Sequence, residues 1–182
     1  MKYKYIDLYD PDFLNNFTNE QQQGLEKLDL DIPSDFKINV EKIIQSFDIN
    51  LTKEDLPNEE SGCYENNCIH INSKELPQRQ KFTAAHELGH AILNSNQNQT
   101  FNRFINKENY LKIEDKINER SINEFAANLL MPQKLVDLAV NENKSFMGKE
   151  LVNKISGEMC LSKSFVNYRL YNLNYVESLY YK

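Results

Sequence analysis

Two of the three histidines in this chain stand four positions apart, in His86-Glu87-Leu88-Gly89-His90. The flanking Ala84-Ala85 and Ala91-Ile92-Leu93 are helix-compatible and apolar enough to bury. Residues four apart on a helix lie one above the other on the same face, so two imidazoles there can be presented to one ion. Catalytic zinc keeps three protein ligands and leaves its fourth position to water, whose pKa it lowers towards neutrality, and a neighbouring carboxylate can then take the proton. Glu87 is placed for that base role, and a zinc hydrolase becomes the leading hypothesis. Because the five-residue pattern also recurs by chance, its context has to carry the argument. Gly89 in mid-helix costs about 1 kcal/mol relative to Ala, so it predicts close approach of the metal or of a neighbouring helix.

A third ligand should come from another helix that buries a carboxylate on its apolar face. The segment Glu119-Arg-Ser-Ile-Asn-Glu-Phe-Ala-Ala-Asn-Leu-Leu-Met-Pro132 offers Glu119 and Glu124. Helical phase separates them. Ile122, Ala126, Leu129 and Leu130 form one stripe, Glu119 falls in line with it, and Glu124 points away. A carboxylate on a core-facing stripe is costly unless paired or bound to metal. The competing reading puts Glu119 near a helix start, where the helix dipole favours a negative charge.

Arg79-Gln-Lys-Phe-Thr-Ala-Ala-His-Glu-Leu-Gly-His90, followed some thirty residues later by Glu119 and by Phe125-Ala-Ala-Asn-Leu-Leu-Met-Pro132, resembles the ImmA/IrrE family of zinc metallopeptidases. The resemblance runs from about Ile38 to Val176, includes Ile71-Asn72, and leaves the first 35 or so residues uncovered. It implies a gluzincin-like fold, Zn2+ as cofactor, His86, His90 and Glu119 as metal ligands, and Glu87 as general base. Members of the family are associated with cleaving or inactivating helix-turn-helix repressors of mobile elements and stress responses. One departure is Ile122-Asn123, where the family usually has Ala-Asn; an apolar residue stays on the buried stripe.

The chain's 182 residues at 40% hydrophobic can bury a sizeable core. No apolar run approaches the roughly eighteen residues that span a bilayer, and the Met1-Lys-Tyr-Lys-Tyr start leads into acidic residues rather than a signal-peptide core. Three cysteines, an odd number, argue against a secreted disulfide framework. These features point to the cytoplasm. Cys63, Cys68 and His70 could be imagined as a second metal site, but a fourth ligand is missing nearby. Cys63-Tyr64-Glu-Asn-Asn-Cys68 reads instead as a turn between two strands. Alternation in Cys68-Ile-His-Ile-Asn72 puts Ile69 and Ile71 on one face and His70 on the other.

Along the chain, Asp10-Pro11-Asp12 reads as a helix start followed by Phe13, Leu14, Phe17, Leu25 and Leu28, and Asn39 as the cap of a short helix with Val40, Ile43, Ile44 and Phe47 on one face. Residues 48–56 and 64–72 favour a two- or three-stranded antiparallel unit flanking the zinc helix. Its edge strand would hold an extended peptide by strand addition. The polar stretch from Asn94 to Glu114 reads as a long connection partly covering the site. Tyr64, His70 and Tyr110 are the groups considered for stabilising an oxyanion.

Glu150-Leu-Val-Asn-Lys-Ile155, a turn through Gly157, and then Phe165-Val-Asn-Tyr-Arg-Leu170 capped by Ser162 resemble a helix-turn-helix. DNA binding demands positive charge. From Gln133 onwards there are seven Lys or Arg against five Asp or Glu, a net of +2, while the rest carries 14 against 22, a net of −8. Only Lys163 and Arg169 lie on the second helix, which disfavours DNA as a partner.

The expected fold is α+β and mostly helical. Residues 1–36 form a helical extension, 37–132 a zincin-like core, and 133–182 a C-terminal helix-turn-helix-like subdomain packed on that core. The expected function is a zinc-dependent endopeptidase acting on a helix-turn-helix repressor. The alternative is a non-proteolytic regulator that binds a repressor or DNA and keeps zinc as a structural staple.

Overall fold

Local polar chemistry sets the first elements. The Asp10 carboxylate accepts from the Phe13 N–H at 2.8 Å and Pro11 takes the first helical position, which starts α1 (Pro11–Leu14). The expected continuous helix stops there. Thr18 opens a second helix, α2 (Asn19–Glu26), through a reciprocal capping box with Gln21. The computed structural model describes residues 1–57, 60–93, 101–104 and 113–181. Within the extension two short strands, β1 (Lys2–Lys4) and β2 (Asp29–Asp31), pair antiparallel, joined by the Lys4–Asp29 ion pair at 2.7 Å. The extension is thus helical with a β-ribbon added. It docks through rings: Tyr9, Phe13 and Phe17 stack in sequence, and Phe13 and Phe17 lie 5.2 and 5.8 Å from the ring of Phe125. The buried Tyr9 hydroxyl donates to the Leu129 carbonyl at 3.0 Å.

Asn39 caps α3 (Val40–Ser46) by accepting from the Lys42 N–H, and Val40, Ile43, Ile44 and Phe47 are buried as their spacing predicts. The sheet that follows is larger than expected and mixed in direction. Its order is β3 (Asn50–Glu54), β5 (Cys68–Asn72), β4 (Glu60–Glu65), β6 (Phe101–Phe104). Asn66 and Asn67 both take positive φ, 50° and 59°, which is the two-residue turn that makes β4 and β5 an antiparallel hairpin. The predicted Cys63-to-Cys68 turn is therefore present. β3 adds to the free edge of β5 in parallel register, Leu51 opposite Ile69 and Lys53 opposite Ile71, where an antiparallel pairing was expected. β6 comes from the stretch read as a connection and pairs antiparallel with β4; most of that stretch, residues 94–100 and 105–112, lies outside the described residues.

The central element is α4 (Pro77–Leu93). Nine consecutive residues, Thr83 to Ala91, are buried, so this helix is enclosed on all sides rather than amphipathic. It packs on β4 and β5 with one face and on α5 (Ile113–Leu130) with another. Two glycines permit this. A Cβ at Gly62 on β4 would come within 2.6 Å of both the His70 carbonyl oxygen and the Thr83 methyl, and one at Gly89 would meet Ile122 and Phe125 of α5 at 3.0 and 3.1 Å. The neighbouring helix is therefore the reason for Gly89. Fully burying Leu88 between these layers contributes about 1.5–3 kcal/mol.

Three further helices complete the described chain: α6 (Gln133–Glu142), α7 (Gly148–Met159) and α8 (Lys163–Asn172). α7 runs through Gly157, and the turn comes later than expected, at Cys160, whose φ of 51° is left-handed. Ser162 then caps α8 by accepting from the Phe165 N–H. Among the described residues no helix is long and apolar enough to cross a membrane.

Candidate metal centre

His86, Glu87 and His90 are buried on α4, with exposures of 1, 0 and 3%. The helix stacks the two imidazoles one turn apart, and their Nε2 atoms approach to 3.2 Å. α5 supplies the third group. Glu119 reaches across with Oε2 3.4 Å from His86 Nε2 and Oε1 3.4 Å from His90 Nε2. Glu119 sits well inside α5, beyond its first turn, so a helix-start role for this carboxylate is ruled out. Its stripe is as phased: Ile122, Ala126, Leu129 and Leu130 are buried, and Glu124 is exposed.

The spacing of these donors tests whether a metal fits. A tetrahedral zinc with bonds of about 2.0–2.1 Å sets neighbouring donor atoms about 3.4 Å apart. The observed separations of 3.2, 3.4 and 3.4 Å agree. Two imidazoles and a carboxylate also match the nitrogen and oxygen donor set that zinc accepts. His86, Glu87 and His90 are together one group able to hold a metal ion, with their ligand atoms within 4.8 Å of one another.

Electrostatics favour an ionised Glu119. Burial works to raise its pKa, but hydrogen bonds and charge from His86 and His90 outweigh burial and hold the carboxyl well below the usual carboxylate range.

One contributing residue had no assigned role in the sequence. Asn123, one turn beyond Glu119 on α5, has its Oδ1 3.0 Å from His86 Nδ1. An amide oxygen only accepts, so Nδ1 donates to it and Nε2 is the nitrogen directed at Glu119 and His90. Phe82, one turn before His86 on α4, lays its ring 6.3 Å from the His86 ring. The only sequence signals for either were the Asn of the second motif and the four-residue phase of Phe82.

The other residues considered lie elsewhere. His70 is on the outer face of the sheet, hydrogen-bonded to Glu54 and to Thr52 Oγ1 on β3. Tyr64 is half-buried on β4, on the strand face that Gly62 turns to α4. Tyr110 lies outside the described residues. Cys63, Cys68 and His70 form no metal-holding group among the described residues; Cys63 is buried, and its thiol is pushed up to about 12 by burial and by nearby carboxylates.

Comparison with known proteins gives matches of two kinds, to a family and to solved structures. The sequence model of a peptidase family described as the IrrE N-terminal-like domain matches residues 44–171, slightly inside the expected span of 38–176. No curated protein matches the chain significantly. Among solved structures, a Mycobacterium tuberculosis transcriptional regulator superimposes with a TM-score of 0.54 at 16% identity. The match covers 93% of this chain and 52% of that one, so the chain spans about half the regulator's length. At that identity the likeness concerns the fold.

Proposed function

The chain belongs to the IrrE N-terminal-like family of metallopeptidase-type domains, and from that premise we propose that it is a zinc-dependent endopeptidase whose substrate is a helix-turn-helix transcriptional repressor. The observation that carries this reading is the convergence of His86, His90 and Glu119 at the mutual spacing of a tetrahedral donor set, with the Glu87 carboxylate buried on the same helix.

His86, His90 and Glu119 would hold the metal. When bound, zinc acidifies water and polarises a carbonyl at neutral pH. Everything else falls to the chain's own residues. Asn123 keeps His86 in the tautomer that leaves Nε2 available. Glu87 takes the proton of the attacking water and returns it to the leaving amine, a task for which a carboxylate one residue from a ligand is placed. The buried flanks Ala84, Ala85 and Ala91 keep bulk water from the inner side of the helix. A peptide held along the sheet edge at β6 would approach in extended form.

The reading of residues 1–36, 37–132 and 133–182 as extension, peptidase core and C-terminal subdomain belongs to the same proposal. So does a cytoplasmic location, where a repressor would be met.

A second reading has one observation in its favour: the structurally similar Mycobacterium tuberculosis protein is described as a transcriptional regulator. In that reading the chain binds a repressor or DNA and zinc is structural. Against DNA, Arg169 on α8 is turned inward, donating to the Met131 carbonyl and the Asn128 side chain, and Lys163 lies 5.5 Å over the ring of Tyr181. Arg169 is therefore not presented for phosphate contacts, which leaves the exposed Lys163 alone on this helix for that role.

The test is incubation of zinc-loaded protein with a candidate helix-turn-helix repressor, read by intact mass, with Glu87→Gln as control. One cut made by wild type and absent with Glu87→Gln is expected, a loss of at least about 10²–10⁴ in rate. Cleavage at equal rate by the variant would sink the reading. A stable complex without a cut would favour the regulator.

A further inference from the structure

Three of the most exposed large apolar side chains, Leu76 (73%), Tyr168 (58%) and Leu179 (52%), edge a single hollow of about 680 Å3. Contiguous exposed apolar surface of this kind marks a binding site more often than it marks accident. The inner wall is Phe82 of α4 and Phe165 of α8, edge-to-face with centroids 5.1 Å apart. Phe82 is also the ring that lies 6.3 Å from His86. A second cavity of about 420 Å3 shares Phe82, Phe165 and Tyr168 with the first and extends to Asn123, the residue that holds His86. The hollow is therefore joined to the metal centre through one aromatic wall.

We infer that this hollow is a specificity subsite that takes a large apolar side chain, aromatic by preference, from an extended peptide whose scissile bond lies at the metal centre. The inference rests on the peptidase reading. An extended chain advances about 3.3 Å per residue, and the near wall of the hollow, Phe82, already lies 6.3 Å from the His86 ring, so the occupant is a side chain at least two residues from the bond. The chemistry of the walls favours an apolar occupant over a charged one. Arg79 at the rim is committed to Glu75 at 2.8 Å and to Ser61, and Phe82, Phe165, Tyr168 and Leu179 offer rings and an aliphatic chain. Ser162 and Ser164 at the mouth provide hydroxyls for the flanking peptide backbone. In this arrangement α8 serves to select substrate, and that assigns a task to the helix that a DNA-binding pair would have used for recognition.

This chain contains no tryptophan, so the indole emission of a probe peptide reads binding directly. The experiment titrates acetyl-Ala-Ala-Trp-Ala-Ala-amide into zinc-loaded Glu87→Gln protein, alone and combined with Tyr168→Ala or Tyr168→Phe. Expected is a saturable blue shift, at least fivefold weaker with Tyr168→Ala, restored by Tyr168→Phe, and not competed by the all-alanine peptide. Tyr168 is largely exposed, so its loss leaves the fold intact. No binding, or equal binding by Tyr168→Ala, overturns the subsite. In parallel, the protein with native Glu87 is incubated with unfolded casein and the cuts are mapped by mass spectrometry. Cuts grouped at one fixed spacing, two or more residues from aromatic or long aliphatic side chains, with the preference lost in Tyr168→Ala, support the inference. Cuts without any such preference overturn it and leave the peptidase standing. Tryptophan-peptide binding without any cut keeps the subsite as a peptide-binding groove and counts against the peptidase.

Discussion

Among the described residues histidine meets glutamate in two places, between α4 and α5 and again on the outer face of the sheet, with different consequences. On the sheet, His70 bonds to Glu54 and Thr52 through the same ring nitrogen, Nδ1, and the Glu54 side chain remains 49% exposed. Strand geometry allows this and little more. Thr52 and His70 are register partners, and each strand offers one side chain per rung to a given face. On α4 the four-residue repeat stacks two imidazoles, and α5 brings a carboxylate whose two oxygens reach both. A candidate metal centre therefore depends on convergence and burial, and the same residue types without them make a surface hydrogen bond.

The largest effect should come from breaking that convergence. Glu119→Ala removes the group that bridges both rings. Zinc affinity should fall by more than the roughly 10–100-fold typical of an outer partner, with metal content of the purified protein dropping well below one per chain. Full zinc content would show that convergence on α5 is irrelevant. Asn123→Ala is the graded version. It leaves His86, His90 and Glu119 in place and removes only the hydrogen bond to His86 Nδ1. Affinity should fall about 10–100-fold, measured by competition with a chromophoric chelator, while the thermal midpoint of the metal-free protein stays nearly unchanged.

A third test concerns a partly buried amine that makes no ion pair among the described residues. Lys81 lies on a different face of α4 from the metal ligands, its amine donating to the Met159 carbonyl at 2.9 Å. Burial pushes that amine from 10.5 down to about 8; Cys160 and Asp35 oppose the shift and Lys37 adds to it. Between about pH 8 and 10.5 the unfolded chain binds the proton and the folded one does not, so stability should rise with pH across that window. Lys81→Met should gain about 1–2 kcal/mol at pH 7 and lose the advantage by pH 10.5, as urea melts at the two pH values would report. A variant that is less stable at both would mean that the Met159 hydrogen bond outweighs the cost of burial.

Much of the candidate site could be read from the sequence because its information is local. The four-residue spacing of His86 and His90, the phase of Glu119 and the helix-breaking cost of Gly89 are all properties of one helix at a time. Asp10, Asn39 and Ser162 are legible as caps for the same reason, and the capping box of Thr18 with Gln21 is just as local. What escaped needed distant partners. Asn123 acquires its role from a histidine 37 residues away. β3 looked like part of an antiparallel unit because alternation gives a strand's faces and not its direction. β6 is four residues in a polar stretch and is defined by its pairing with β4. The extension's aromatic rings read as apolar residues on a helix, and only their packing on Phe125, itself against Gly89, ties them to the metal helix.

The smallest expected effect completes the comparison. His70→Gln removes the second histidine–glutamate contact and should leave zinc content and turnover at the wild-type level, because His70 lies on a different face of the sheet from α4. Its only consequence should be electrostatic. The hydrogen bond from His70 holds the Glu54 carboxyl below its ordinary 4.5, with Thr52 assisting and slight burial opposing. Stability from a lowered carboxylate is present above its unfolded pKa and lost as pH falls through the folded one. Thermal melts of wild type and His70→Gln should therefore run parallel from pH 5 to 7, with an offset near the scatter expected for an exposed pair, and converge as the pH drops below about 4. A drop in zinc content on His70→Gln would contradict the division between the two clusters, since it would mean that the outer face of the sheet takes part in holding the metal.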